Sequence, residues 1–201
     1  RKTAQRPPYD RVLIVCEGEK TELIYFNDLI DYYGLSTANV AVLCSGSAPN
    51  SVVEYAKEMQ QKKKSSGDEY DRVYCVFDRD EHSSFDEASK TLKDNKFHAA
   101  RSWPCFEFWL LLHYKYQRGP FSRQGNKTAA KVCESALKKQ LPTYEKGMKG
   151  IFNYLLSMLD TGVENASKAQ KDAVATEEPN PSTEVHELVQ YLRGLKGRHR
   201  K

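Results

Sequence analysis

The sequence predicts an α/β fold, a mainly parallel sheet flanked by helices, with a largely helical C-terminal half. Three observations carry this. Short runs of consecutive apolar residues alternate with longer segments whose apolar residues recur at helical spacing. Turn-forming residues separate the two kinds of segment, so strand, helix and strand succeed one another as the right-handed crossovers of a parallel sheet require. Beyond Pro104 the strand signals stop and helix-spaced patterns remain.

In chain order, Arg11-Val12-Leu13-Ile14-Val15-Cys16 reads as a strand buried on both faces, because its apolar residues run together instead of alternating. It ends at Glu17-Gly18-Glu19. From residue 20 to about 33, Leu23, Phe26, Leu29 and Ile30 mark a helix, and Gly34 stands where a helix C-cap belongs. Residues 40–44 give a second strand and 45–50 a turn, after which Val52, Val53, Ala56 and Met59 mark a second helix closed by Lys62-Lys63-Lys64-Ser65-Ser66-Gly67. The lysines suit a solvated helix C-terminus. Residues 72–78 form the third strand, 84–95 the third helix, and 98–102 a weaker fourth strand. Phe106, Trp109, Leu110 and His113 then open a helix-spaced apolar face. Further helices are expected at 127–139, from 150 to 160 or beyond, and at 183–195, with a linker at 176–182 containing Pro179 and Pro181. The division is an α/β core, 1–103, and a helical extension, 104–201, expected to pack as one structural domain.

At 201 residues the chain can build one substantial core. Its 31 basic and 27 acidic residues give a formal charge of +4, mildly basic and compatible with a polyanionic partner. The five cysteines are odd in number, widely spaced and never in a CxxC pair, which argues against zinc or a disulfide framework. No apolar stretch approaches the roughly 18 residues that cross a bilayer, and no signal-peptide pattern is seen. A reducing cytoplasm is the expected compartment.

The chemistry concentrates at strand ends. Asp78 and Asp80 close the third strand with Arg79 between them, and on an extended backbone both carboxylates project to one side. Oxygen ligands of this kind suit a hard divalent cation such as Mg²⁺, which commonly holds substrate phosphates as well. Glu17 ends the first strand, and ligands of open parallel sheets collect at the carboxyl ends of the strands. Gly18 permits a tight turn with close backbone approach. Glu19 and Glu22 either join this acid cluster or are exposed first-turn residues at a helix N-terminus. Glu107 begins a helix otherwise rich in Phe106, Phe108, Trp109 and Leu110, where an uncompensated carboxylate is costly to bury. His82 and His113 read as surface or structural residues.

A strand ending in Glu-Gly, then helix, strand, helix and a strand ending in Asp-x-Asp resembles the topoisomerase–primase (TOPRIM) domain. Within that group, Leu13-Ile14-Val15-Cys16-Glu17-Gly18-Glu19-Lys20-Thr21-Glu22, Phe77-Asp78-Arg79-Asp80-Glu81-His82 and the segment from Ser102-Trp103-Pro104 through Glu107 to His113 together resemble the RloB family, as does Pro181-Ser182-Thr183-Glu184-Val185-His186. The resemblance spans almost the whole chain. It implies a TOPRIM-like, metal-dependent nuclease of prokaryotic defence against phage and plasmids, often encoded beside an ATPase partner. It also implies Glu17 as proton-transfer group and metal-site residue, Asp78 and Asp80 as Mg²⁺ ligands with Mn²⁺ as a substitute, and Glu107 as an additional catalytic candidate.

Phosphodiester cleavage builds negative charge that carboxylate-held cations neutralise, so the acid set and the implied activity agree. Lys20, Arg79, Lys146 and Lys149 are the nucleic-acid-binding candidates, Arg79 either facing a phosphate or pairing with a neighbouring acid. Tyr144 and Tyr154 are candidate stacking partners, and Lys138, Lys139 and the tail Arg198-His199-Arg200-Lys201 could follow a phosphate backbone. Two rival functions fit parts of the pattern: a nucleotide-sugar transferase using the Asp-x-Asp, and a non-catalytic nucleic-acid or nucleotide-binding module working through a partner. The choice between DNA and RNA, the oligomeric state and the activating signal are not encoded in these motifs.

Overall fold

A computed structural model of the chain describes residues 9–37, 39–46, 48–79 and 84–196. Five strands, β1 (Val12–Cys16), β2 (Val40–Cys44), β3 (Arg72–Asp78), β4 (His98–Trp103) and β5 (Ser182–Thr183), form one sheet in the order β2-β1-β3-β4-β5. The first four are parallel and β5 runs antiparallel to β4. In register, Cys16 lies beside Cys44 on one flank and Val76 on the other, and Asp78 lies beside Ser102.

Every residue of β1 is buried, as a central strand covered on both faces requires. The period of two divides its side chains between two layers. Val12, Ile14 and Cys16, with Tyr74 and Val76 of β3, face the larger core, which holds α1 (Thr21–Tyr32) and the helices of the second half. Leu13 and Val15, with Val73, Cys75 and Phe77, pack instead against Val52, Val53 and Ala56 of α2 (Pro49–Ser65) and Ala88 and Leu92 of α3 (Phe85–Asp94). The two halves of the chain thus share one core cluster.

Helix α1 buries Tyr25, Phe26, Leu29 and Ile30 on one face and ends before Gly34, whose φ of 58° lies in the left-handed region that favours glycine. Helix α2 begins at Pro49, inside the expected turn, because proline at the first helical position gives up an amide that no helix bond would use. Its closing lysines are exposed, in keeping with a solvated helix end.

After β4 comes α4 (Glu107–Leu112), six residues that are all buried. Helix α5 (Ala129–Gln140) is capped by Thr128, whose Oγ1 accepts from the Lys131 amide at 3.3 Å. The expected helix from 150 onward is three segments: α6 (Ile151–Leu155), a 3₁₀ turn (Leu156–Met158) and α7 (Leu159–Thr176), before α8 (Val185–Gly194) closes the fold.

Two features depart from the sequence reading. β5 is a strand where none was expected; its two residues are held by their partners, Ser102 Oγ lying 3.0 Å from Thr183 Oγ1 and the Glu184 amide donating to the Arg101 carbonyl at 2.8 Å. The linker is also pinned. Arg118 donates to Thr176 Oγ1 at 2.8 Å, the Glu178 carbonyl at 2.6 Å and the Asn180 carbonyl at 3.2 Å, and the Asn180 side chain bonds the Phe121 backbone in both directions.

All five cysteines are free, four of them buried. Among the described residues, no helix is long and apolar enough to cross a membrane.

Candidate active site

The strand order places β1 centrally between β2 and β3, so α1 leads outward to β2 and α2 carries the chain back past β1 to β3. That reversal is the switch point at which open α/β sheets form their crevice, beyond the carboxyl ends of the strands. Glu17 and Asp78 stand there. The Glu17 amide donates to the Val76 carbonyl at 2.9 Å, prolonging the pairing beyond the last strand residue. Its Oε2 then accepts from the Asp78 amide at 3.1 Å. Two acids sixty-one residues apart therefore meet at one rim.

Asp78 follows the even-numbered face of β3 toward the larger core, where α1 and α4 supply two more acids. Glu22, in the first turn of α1, folds back over Gly18: a Cβ on that glycine would lie 2.0 Å from Glu22 Oε2. Only glycine lets the carboxylate sit there. Glu107, the first residue of α4, is 2 % exposed. Glu17, Glu19, Glu22, Asp78 and Glu107 line one pocket of about 350 Å³ together with Lys20 and Lys146.

Five carboxylates, Glu19 the exposed one among them, against two lysines leave the pocket under-compensated. Burial, with Glu107 and Glu17 adding repulsion against the partial relief of a backbone amide and Lys146, pushes the Glu22 carboxyl from 4.5 up to about 7. Burial also drives Asp78 well above the usual carboxylate range, reinforced by Glu22, Glu107 and Glu17 and opposed by a hydrogen bond from the Phe106 backbone. Partial burial works against the charge of Lys146, but Glu107, Cys105, Asp78 and Glu134 outweigh it and raise its pKa.

The buried Glu107 is held from the second half of the chain. Its Oε1 accepts from the Tyr144 hydroxyl at 3.0 Å and lies 3.6 Å from Lys146 Nζ. Burial, then the adjacent Glu107 charge, raises the Tyr144 pKa, so this hydroxyl stays a donor. The loop carrying both residues docks on α1, the Gly147 amide donating to Thr21 Oγ1 at 3.1 Å. Gly147 has a φ of 84°, and the Lys20 side chain passes 3.3 Å from where its Cβ would stand.

Of the residues expected from sequence, Glu17, Asp78, Glu107, Lys20 and Lys146 share this pocket, and both Glu19 and Glu22 join the acid cluster, Glu19 at its exposed side. Arg79 does not; its guanidinium lies over the rings of Trp103 at 4.3 Å and Phe85 at 4.6 Å and pairs with Asp86 at 3.2 Å. Lys149 is exposed and outside the pocket lining. Asp80, His82 and the tail from 198 to 201 lie outside the described residues. Tyr144, 1 % exposed, is no stacking platform; its hydroxyl serves Glu107 instead. Thr21 was not anticipated, since a contact spanning 126 residues leaves no local signal. Lys138 pairs with Glu134 at 3.0 Å. His113 is buried with Nδ1 3.0 Å from the Trp109 carbonyl, and burial lowers its pKa to about 4, leaving it a neutral structural residue.

The pocket's donors are all oxygen, the chemistry a hard cation selects. Among the described residues, no three His, Cys, Asp or Glu side chains are drawn into a metal-holding group.

A family model described as RloB-like protein matches residues 12–192. The chain belongs to that family. The matched span of this RloB-like chain contains all five pocket carboxylates, Tyr144 and Lys146. No curated protein matches it.

Proposed function

We propose that this RloB-like protein is a Mg²⁺-dependent nuclease that hydrolyses nucleic-acid phosphodiester bonds, with Mn²⁺ able to replace Mg²⁺. The observation that carries the reading is the convergence of carboxylates from β1, β3, α1 and α4 on one pocket at the sheet's switch point. Glu17 and Asp78, with Asp80, are the proposed ligands. The bound cation would supply charge neutralisation for the scissile phosphate.

The chain's own residues would do the rest. Water attacks phosphorus, the bond to the leaving oxygen breaks, one proton leaves the water and one reaches the leaving oxygen. Glu17 is the proposed proton-transfer group and Glu107 assists from a fixed orientation, its Oε1 already engaged by Tyr144 and Lys146. Glu22, with its carboxyl raised to about 7, is a reservoir suited to the same exchange at neutral pH. Lys20 and Lys146 reach the pocket and would orient phosphate, while Arg79 and Lys149 would act outside it. The biological setting we propose is antiviral and anti-plasmid defence in the cytoplasm, with an ATPase partner.

The test is cleavage of labelled DNA and RNA, transfer RNA included, in Mg²⁺, Mn²⁺ or EDTA, by wild type and Asp78→Ala. We expect metal-dependent cleavage that falls at least about a hundredfold in Asp78→Ala while its thermal unfolding is retained. Full activity in that variant, or cleavage indifferent to EDTA, refutes the assignment. Binding without turnover, alone and with the ATPase, would favour the non-catalytic module.

A further inference from the structure

A second concavity lies on the same sheet rim, one strand further along. It is a groove of about 390 Å³ at the carboxyl ends of β3 and β4, walled by Arg79, Phe85, Trp103, Arg101 and the C-terminal part of α7 with Val174 and Glu177. Its volume falls within the range of small-ligand sites. It adjoins the acid pocket through the backbone: Asp78 faces that pocket, and Arg79, the next residue with its Cα about 3.8 Å away, faces the groove.

The two arginines of the groove differ. Arg101 is satisfied, its guanidinium gripping Glu184 with Nε donating to Oε2 at 2.8 Å and Nη2 donating to Oε1. Arg79 has an acid partner, Asp86, whose side chain is 83 % exposed, and exposed pairs of this kind are worth at most about 1 kcal/mol. A phosphate can take that partner's place at little cost. The Arg79 plane is meanwhile fixed by the rings of Trp103 and Phe85. Aromatic rings beside a pre-oriented arginine are the elements with which proteins receive an unstacked base and its phosphate. Val174, 76 % exposed on the lip, extends the apolar surface, and Glu177 opposes a polyanion there.

We propose that this groove binds an unpaired nucleotide flanking the phosphodiester held in the acid pocket, its phosphate on Arg79 and its base against Trp103. The inference rests on the nuclease reading and narrows its substrate to single-stranded or looped nucleic acid. A duplex offers base edges in its grooves but keeps the base faces stacked.

The two tryptophans of the sequence make the test direct, because Trp103 is partly exposed in the groove and Trp109 is fully buried. A short oligothymidylate and a duplex of equal length are titrated in EDTA, so that binding is read without turnover. The single strand should quench the fluorescence, and the quench should vanish in Trp103→Leu. Arg79→Gln should weaken binding about tenfold and reduce the salt slope by about one. Two surface substitutions guard against misfolding: Val174→Glu should weaken binding and Glu177→Gln should tighten it. Absence of quenching, a duplex that binds as tightly as the strand, or affinity unchanged by Arg79→Gln and Val174→Glu overturns the proposal. Cleavage in Mg²⁺ unaffected by the Arg79 and Trp103 substitutions overturns the groove and leaves the nuclease standing. Groove-dependent binding with no cleavage does the reverse.

Discussion

Glu22→Gln should remove a loss of stability of about 3 kcal/mol that the wild-type protein undergoes between about pH 4 and pH 8 in EDTA. The folded carboxyl titrates near 7 against an ordinary 4.5, so between those values the native state holds a proton that the unfolded chain has released. Stability from this group is therefore fully present below about pH 4.5 and is lost as pH rises through about 7. At about 1.4 kcal/mol per pH unit the loss is about 3 kcal/mol. Asp78 shifts in the same direction, chiefly through burial and next through Glu22, so removing the Glu22 charge eases part of its shift and the remainder persists in both proteins. Urea unfolding of wild type and Glu22→Gln across that range measures the difference. Wild type should lose about 3 kcal/mol more than the variant, and Mg²⁺ at about a hundred times its Kd should return about 2.7 kcal/mol at the alkaline end. Parallel stability curves for the two proteins would show that Glu22 keeps an ordinary pKa, and the electrostatic picture of the pocket would fail.

Two further outcomes follow from packing. Tyr144→Phe should destabilise by about 1.5–3 kcal/mol, because it removes a hydrogen bond to a buried carboxylate, whereas Lys146→Met should cost no more than about 1 kcal/mol, its side chain being 56 % exposed and 3.6 Å away. Urea unfolding decides the order, and a costlier Lys146→Met would mean that the ion pair, not the hydroxyl, carries Glu107. Gly162→Ala should lower Tm by several degrees: the new Cβ would lie 2.9 Å from the buried His113 ring, and that overpacking exceeds the roughly 1 kcal/mol gained in helix propensity. A calorimetric Tm equal to or above wild type would refute this.

Among the strands, β1 and β3 were the most legible in the sequence because their burial is symmetrical. β1 and β3 are covered on both faces, so they appear as unbroken apolar runs, and the acids that end them could be located from those runs alone. β4 is less evident because its burial alternates and its sequence includes Arg101 and Ser102. β5 is invisible, two polar residues made into a strand by their partners.

The same alternation explains the site. Asp78 and Arg79 are neighbours on an extended chain and must point to opposite sides, so Arg79, though adjacent to a pocket carboxylate, is turned away from that pocket. Glu107 could be singled out because a carboxylate among aromatic and aliphatic residues demands compensation. What supplies it, Tyr144 and Lys146, sits in a turn-rich loop with no periodicity to place it.

The bond from Gly147 to Thr21 has a consequence for how this pocket comes into being. Glu17, Glu22 and Asp78 all precede in the chain the loop that braces Glu107, so the acids of the first half reach their final setting only where that loop docks. A fragment ending near residue 103, or a chimera that borrows only the α/β half, would inherit two ends of strands and a helix start but neither α4 nor the brace. The pocket is built by both halves of the chain, and cannot be transplanted with the first alone.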